Sequence, residues 1–154
     1  MCIYFTDLNK ACQKNSFPLP CIDLIMDLIA GHLLLSFMDA YSVYNRIWMS
    51  LDDEEKIAFF TYRGLYYYKD MSFGIKNAGT TNQLLVNRMF KQQISRNMEV
   101  YVYDLLVKSK KAEQYLTDLH EAFIVLRQYQ MMLNPSKCAF EVELGKFLGF
   151  MISE

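Results

Sequence analysis

Two aspartates occupy positions from which a pair of carboxylates could bind a metal ion. Asp39 follows an apolar run of strand length at residues 33–38, and Asp104 interrupts a second apolar stretch at residues 100–107. If the two strands are neighbours in one sheet, both carboxylates emerge at the same edge. Mg²⁺ prefers one or two carboxylates completed by phosphate and water oxygens, an arrangement that serves phosphoryl transfer. Because aspartate also favours turns, the pattern by itself leaves an ordinary turn former as the alternative.

The cysteines and histidines indicate no second chemistry. None of the four cysteines forms a C-x-x-C pair, and neither of the two histidines lies beside a cysteine. We therefore expect no structural zinc, and reduced thiols in an intracellular protein. No apolar run approaches the roughly 20 residues that span a bilayer, and the N-terminus lacks a signal pattern. The sequence predicts an intracellular, soluble chain with no membrane partner.

The composition predicts a folded chain with an uneven charge distribution. The 154 residues are 53% hydrophobic and 21% charged, with a net charge of −1, which excludes a disordered or low-complexity chain. Residues 76–111 nevertheless hold seven Lys and Arg against two Asp and Glu. Such a segment can bind nucleic acid, although charge alone favours a solvated helix surface.

The elements that must position the two aspartates follow from periodicity and turn signals. Gly31 closes the first predicted helix, Thr80 or Thr81 is the predicted N-cap of the second, and Asp104 is the predicted turn of the second hairpin. In chain order the pattern predicts a helix at 22–30, a strand at 33–38, a hairpin at 58–68, a helix at 77–96, a hairpin at 100–107, a helix at 113–130 and a strand at 147–151. This order favours an α+β sheet with helices on one face.

Seven ordered blocks carry a resemblance to a known family. They are TDLNKAC at 6–12, SFPLP at 16–20, LSFMDAYS at 35–42, FGIKNAG at 73–79, LVNRMF at 85–90, LNPSKC at 133–138 and FLGF at 147–150. Across essentially its full length the chain resembles the reverse transcriptase of gypsy-type long-terminal-repeat retrotransposons, especially plant copies.

The resemblance implies the fold and the partners of an RNA-directed DNA polymerase. It implies an α+β polymerase palm at 33–51 and 76–154 with partial fingers at 1–32 and 52–75, and no thumb, ribonuclease H or integrase segment. Mg²⁺ is the implied cofactor. The implied partners are an RNA or DNA template–primer, a deoxynucleoside triphosphate and other segments of a Pol polyprotein, within a cytoplasmic, nuclear or particle setting.

The resemblance also assigns roles to individual residues. Asp39 and Asp104 would bind metal with the backbone carbonyl of Ala40, and Lys137 would protonate the pyrophosphate leaving group. The implied nucleotide-binding residues are Ala40, Ser42, Val43, Tyr44, Phe73 and Gly74, with Tyr44 excluding a ribose 2′-hydroxyl. The implied primer grip is Phe147, Leu148, Gly149 and Phe150, and template and primer phosphates would lie on Lys76, Arg88 and Lys91. Taken singly, Tyr44, Phe147 and Phe150 could be core residues and Lys137 a surface lysine.

One position departs from the family's metal-binding motif. The family reads Tyr-Val-Asp-Asp where this chain reads Tyr101-Val102-Tyr103-Asp104. A phenol, with an ordinary pKa of about 10, is neutral at pH 7 and cannot replace a bridging carboxylate. Further departures are Tyr4, Val43, Ser72 and Asn82, where relatives have Asp, Gly, Pro and an aromatic residue. We therefore expect a catalytically inactive copy, with a non-catalytic nucleic-acid-binding module or an inert remnant as the alternatives.

Overall fold

The computed structural model describes residues 3–41 and 43–152, so that Ser42 lies outside the described residues. The helices are α1 (Thr6–Ala11), α2 (Ile22–Ile29), α3 (Leu51–Glu54), α4 (Ala78–Met89) and α5 (Ala112–Gln128). The strands are β1 (Leu34–Tyr41), β2 (Phe59–Thr61), β3 (Gly64–Tyr66), β4 (Met98–Tyr101), β5 (Asp104–Ser109), β6 (Met132–Leu133), β7 (Ala139–Val142), β8 (Gly145–Phe147) and β9 (Phe150–Ile152).

A five-stranded antiparallel sheet forms the centre of the molecule. β1 pairs with β5 on one side and with β6 and β7 on the other, and β4 extends the sheet beyond β5. Two further pairs, β2–β3 and β8–β9, form separate two-stranded hairpins. The predicted α+β architecture with an antiparallel sheet is thereby observed, whereas the division into palm and fingers stays a prediction.

Alternation along β1 divides its side chains between two apolar clusters. Met38 and Ala40 face the cluster that α4 and α5 cover, together with β4 and β5. Leu35 and Phe37 face the opposite cluster, to which α2 and the β8–β9 hairpin contribute. The two long helices thus share one face of the sheet, as predicted, while the short helix α2 covers the other.

The observed helices differ from the predicted ones mainly at their ends. α2 stops one residue before the predicted end, and Gly31 follows with a φ of +74°, the left-handed conformation that glycine adopts at little cost. α4 begins after Asn77 as its N-cap, in place of the predicted Thr80 or Thr81, and ends at Met89 rather than at residue 96. Phe90 is fully buried, and the turn that follows it reverses the chain into β4. That reversal ends the helix earlier than periodicity predicts.

The structure corrects three predictions about where strands end and turn. Val102 and Tyr103 form the turn between β4 and β5, so Asp104 is the first residue of β5 and not the turn itself. β1 also continues through Asp39 to Tyr41, although the sequence predicts its end before Asp39. The predicted single strand at 147–151 is a hairpin whose turn is formed by Leu148 and Gly149.

Helix α4 holds the β4–β5 turn through two fully buried amides. The Gln83 side chain accepts a hydrogen bond from Val102 N at 2.6 Å and donates one to Val100 O at 3.3 Å. The Asn82 amide donates to Val102 O at 2.5 Å. Val102 has a φ of +54°, a conformation that a β-branched residue rarely adopts. The two amides therefore stabilise a strained turn that immediately precedes Asp104.

We expect Gln83→Met to lower the free energy of unfolding by about 2 kcal/mol, because it leaves Val102 N–H and Val100 C=O buried without these partners. Urea unfolding followed by circular dichroism measures the change. Gln92→Met, on an exposed residue of the same region, is the matched control with little expected effect. Equal stability of the two variants would contradict the role of Gln83.

Candidate active site

The pairing of β1 with β5 places Asp39 directly opposite Asp104. Ala40 N donates to Tyr103 O at 2.9 Å, so the hydrogen bond joins the residues beside the two aspartates and not the aspartates themselves. In an antiparallel sheet this is the closer kind of pair, with Cα atoms about 4.5 Å apart and adjacent side chains. The expected meeting of the two carboxylates is therefore confirmed by the sheet register.

Lys137 lies beside this pair on a short 3₁₀ turn, Pro135–Lys137. Its Nζ is 3.4 Å from Asp39 Oδ2, and its side chain is otherwise largely exposed. Two backbone and side-chain contacts position the turn: Asn134 N donates to Asp39 O at 2.9 Å, and the Asn134 side chain accepts from Ser136 N at 3.2 Å. Lys137 is therefore a member of the carboxylate cluster and not an unrelated surface lysine.

The protonation of Asp104 depends on its surroundings in the cleft. Partial burial raises the pKa of the Asp104 carboxyl, and the negative charge of Asp39 raises it further, whereas the Lys137 ammonium opposes the shift. A raised pKa means that ionised Asp104 costs folding free energy at neutral pH. A cation bound between the carboxylates would remove that cost.

The cleft around the pair has a volume of about 190 Å³. One side is the sheet at Asp39 and Asp104, and the β8–β9 hairpin contributes Lys146, Phe147 and Leu148. Lys146 thereby lines the same cleft as the two carboxylates, which the sequence reasoning missed. The sequence signal that could have identified Lys146 is its position directly before the FLGF block. With Lys137 and Lys146, the cleft holds two acidic and two basic side chains.

Tyr103 is directed into the protein core. Its ring packs against the cluster beneath α4 and α5 and also against a smaller cluster around Met71 and Ala78. The described residues that line the carboxylate cleft do not include it. The side chain at the substituted position is thus part of the packing between these clusters.

The loop at Phe73 and Gly74 lines a different cleft, of about 540 Å³, with Asn45 and Tyr68. Gly74 has a φ of +89°, and a Cβ there would lie 3.4 Å from Ile3 O. Asn9 in α1 binds the loop at two points. Its Nδ2 donates to Gly74 O at 2.6 Å, and its Oδ1 accepts from Lys76 N at 2.8 Å. Asn9 is a positioning residue that sequence reasoning did not single out.

The predicted nucleotide-binding residues at positions 40–44 lie at the end of β1 and directly after it. Ser42 lies outside the described residues, and Val43 and Tyr44 begin the 3₁₀ turn Val43–Arg46 after β1. Ala40 is buried and pairs with Leu133. The roles predicted for these residues stay predictions.

The basic segment divides into buried and exposed members. Lys108 is buried and donates to Glu99 Oε1 at 2.7 Å and to Leu28 O at 2.6 Å, so it cannot contact phosphates. Arg96 pairs with Glu121, and Lys76 donates to Cys12 O at 2.9 Å. Of the predicted phosphate contacts, Arg88 and Lys91 are exposed, as is the rest of the Lys76 side chain. Lys108 therefore does not belong to the surface cations of the basic segment.

The FLGF block forms the turn of the β8–β9 hairpin. Phe147 is buried, with its ring centroid 6.1 Å from that of Phe37, which agrees with its reading as a core residue. Phe150 is about half exposed, so it is not the core residue that its type suggests. Gly145 lies so close to the Phe37 ring that a Cβ there would be 2.1 Å from it. This contact seats the hairpin on the sheet beside Asp39.

A family model described as "Reverse transcriptase (RNA-dependent DNA polymerase)" matches residues 1–152. The chain belongs to the reverse transcriptase family. Among curated relatives, the Transposon Tf2-3 and Tf2-7 polyproteins of Schizosaccharomyces pombe are each 29% identical over 154 residues. This reverse transcriptase domain is covered completely but spans only 12% of either polyprotein. The predicted retrotransposon reverse transcriptase is confirmed; the gypsy type is consistent with these relatives, and plant origin stays a prediction.

Solved structures show the same fold. The foamy viral protease-reverse transcriptase in complex with double-stranded DNA superposes with a TM-score of 0.88 at 18% identity, covering 97% of the domain and 26% of that chain. The same viral protein in complex with an RNA/DNA hybrid gives 0.85 at 17% identity, over 97% and 20% of the two chains. The predicted polymerase fold is confirmed.

The described part of the reverse transcriptase domain offers carboxylate oxygens to a divalent cation at the Asp39–Asp104 pair. Asp39 and Asp104 supply two carboxylates, and Mg²⁺ is commonly held by one or two carboxylates with phosphates and water. Within residues 3–41 and 43–152 no group of three or more His, Cys, Asp or Glu converges on one point. The same described residues contain no helix long and apolar enough to cross a membrane.

We expect Asp104→Asn to stabilise the metal-free domain, because the amide removes both the burial of a charge and the repulsion from Asp39. After discounting for solvent screening, the gain is about 0.5 kcal/mol, or roughly 1–2 °C in Tm. Thermal melts of both proteins in a chelating buffer measure it.

The sign of the pH dependence follows from the raised pKa of Asp104. As pH falls through that pKa, the carboxyl becomes neutral, its cost disappears, and the advantage of the Asn variant should shrink. Asp27→Asn, at an exposed position on α2, is the control. An advantage that stays constant from neutral to acidic pH would contradict the interpretation.

Proposed function

We propose that the domain is the palm and partial fingers of an RNA-directed DNA polymerase by descent, and that this copy has lost templated synthesis. The observation that carries the proposal is the direct opposition of Asp39 and Asp104 on β1 and β5, with the ring of Tyr103 packed into the core at the neighbouring position. Two of the acidic positions that the resemblance implies thus lie together, while the third holds a neutral side chain.

Asp39 and Asp104 would hold Mg²⁺, with the Ala40 carbonyl as a further ligand. When bound, the ion would supply positive charge to the phosphate oxygens of an incoming deoxynucleoside triphosphate. The carboxylates hold the binding point at the end of a rigid sheet, since both belong to paired strands. Tyr103 contributes no anionic oxygen there, and its ring packs elsewhere. This supports weakened metal binding and the loss of a second ion.

The two lysines of the cleft have separate proposed roles in the ancestral reaction. In that reaction a primer 3′-hydroxyl attacks the α-phosphate and pyrophosphate leaves. Lys137 Nζ, 3.4 Å from Asp39, would donate a proton to the leaving pyrophosphate oxygen. Lys146, in the same cleft, would attract phosphate oxygens without a proton transfer. Asp39 would orient the Lys137 side chain until the leaving group forms.

The remaining surfaces fit a nucleic-acid substrate. Phe73 and Gly74, with Ser42, Val43 and Tyr44, would contact the nucleotide and template. Arg88 and Lys91 would contact phosphates, assisted by Lys76, and the hairpin at Phe147–Phe150 would hold the primer end. We propose an RNA or DNA template–primer as partner, other segments of a polyprotein as neighbours, and an intracellular setting.

Retained binding without catalysis is the second candidate function. The exposed Arg88 and Lys91 favour it, because their charges do not depend on the carboxylate cleft. Its signature is affinity for template–primer that falls steeply with salt and does not change when Mg²⁺ is removed. Mg²⁺-dependent binding would instead favour a nucleotide site that still works.

We expect no measurable primer extension by the purified domain on an RNA template, with either Mg²⁺ or Mn²⁺. The reason is the missing carboxylate at position 103. Denaturing gels of a labelled primer measure the product, with an active viral reverse transcriptase as positive control. Product that increases with protein and disappears in Asp39→Asn would overturn the proposed inactivity.

We expect Tyr103→Asp to increase Mg²⁺ affinity while lowering stability by about 2 kcal/mol, because a packed ring is replaced by a partly buried charge. Calorimetric titration measures the affinity, and chemical denaturation measures stability. Tyr103→Asn is the matched control, since it loses the same packing without adding a charge. Polymerisation by the Asp variant should stay weak or absent. An equal gain in Mg²⁺ affinity in both variants would contradict a carboxylate effect.

A further inference from the structure

The β2–β3 hairpin exposes an unusual number of aromatic rings. We call residues 58–69 the aromatic hairpin; its rings are those of Phe59, Phe60, Tyr62, Tyr66, Tyr67 and Tyr68. Phe60 is 86% exposed and Tyr62 is 91% exposed. None of the hairpin's side chains belongs to the buried apolar clusters of the described residues. These exposed rings are therefore available for contact. A two-stranded hairpin of this length is also only marginally stable without a covering partner.

The rings are arranged on both sides of the hairpin. Phe59 pairs across the strands with Tyr66, at a centroid distance of 6.4 Å and an interplanar angle of 27°, and lies 5.4 Å from Tyr68. Phe60 pairs with Leu65 on the opposite side. The first group supports the hairpin, and the exposed Phe60 and Tyr62 present their rings outwards.

The charge of the aromatic hairpin selects among possible partners. Arg63 and Lys69 are its charged residues, and residues 58–69 contain no Asp or Glu. The Arg63 guanidinium lies 5.2 Å from the Tyr62 ring centroid. With Tyr62 so exposed, its other face is open to a further planar group. Aromatic rings combined with cationic side chains suit an anionic partner that carries planar groups.

The aromatic hairpin is continuous with the loop proposed to face the template. Tyr68, at its end, lines the 540 Å³ cleft together with Phe73 and Gly74. A strand bound at that cleft could therefore continue onto the hairpin. Duplex bases are already stacked on each other, so exposed rings favour unpaired bases.

We propose that the aromatic hairpin binds single-stranded nucleic acid, with Phe60 and Tyr62 stacking on bases and Arg63 contacting phosphate. The proposal rests on the proposed function, because it takes nucleic acid as the substrate class. It adds a specific surface, the outer side of β2–β3, and a preference for unpaired strands.

The test compares an unpaired oligonucleotide of about 12 nucleotides, a length within typical stacking sites, with a blunt RNA/DNA duplex. Fluorescence anisotropy gives Kd for the wild type and for the double variant Phe60→Ala/Tyr62→Ala. We expect the variant to weaken single-strand binding by about fivefold or more and to leave duplex binding unchanged. Both side chains are exposed, so the variant should fold, and circular dichroism checks this.

Conservative variants separate stacking from apolar contact. Tyr62→Phe should bind like the wild type because it keeps the ring, whereas Tyr62→Leu should bind like Tyr62→Ala. Tyr129→Ala, an exposed aromatic residue after α5, is the matched control with no expected change. Arg63→Gln should reduce the slope of log Kd against log salt concentration by about 0.7.

The outcomes distinguish this proposal from the proposed function. Duplex binding that persists while single-strand binding is equal in wild type and double variant overturns the hairpin proposal alone. Failure of the wild type to bind either substrate overturns the proposed nucleic-acid function and, with it, the hairpin proposal. If sedimentation shows a wild-type dimer that the double variant abolishes, and single-strand binding is unaffected, the hairpin contacts a second copy instead.

Discussion

The antiparallel pairing of β1 with β5 is the constraint on which the site depends. It brings together two segments separated by 65 positions in the chain and places Asp39 opposite Asp104. Like charges opposed in this way destabilise a sheet. The pairing persists because apolar clusters cover both faces of these strands and because Lys137 offsets part of the repulsion. The sheet therefore holds the two carboxylates next to each other despite their mutual repulsion.

The turn between β4 and β5 connects this site to the core. Gln83 and Asn82 hold the turn through its backbone, so their grip does not depend on the side chain at position 103. Tyr103 adds a ring to the packing around Met71 and Ala78 where an aspartate would add a third negative charge. At this position the chain therefore has apolar packing where the family motif has an acidic side chain.

The basic residues show how burial separates structural from surface roles. Lys108 and Glu99 form a fully buried ion pair that also holds the end of α2 through Leu28 O. Arg88 and Lys91, in the same segment, are exposed. The cations that remain available to an anionic partner are therefore a subset of those in the basic segment. The aromatic hairpin, outside the basic segment, adds a surface where rings rather than charge dominate.

The sequence alone determined the family, the α+β class and most helices and strands, because ordered motifs and hydrophobic periodicity are local properties. It also identified Asp39, Asp104 and Lys137, whose neighbourhood the structure confirms. It did not determine the turn at Val102–Tyr103, the early end of α4 or the burial of Lys108, since each depends on which segment packs against it. Lys146 and Asn9 were missed because their positions depend on packing between distant segments: Asn9 holds the loop at Gly74, and Lys146 lies on a hairpin that packs against β1. Tertiary structure alone decided that Tyr103 packs into the core and that Lys146 joins Lys137 in the carboxylate cleft, because burial and the grouping of charges arise only when remote strands meet.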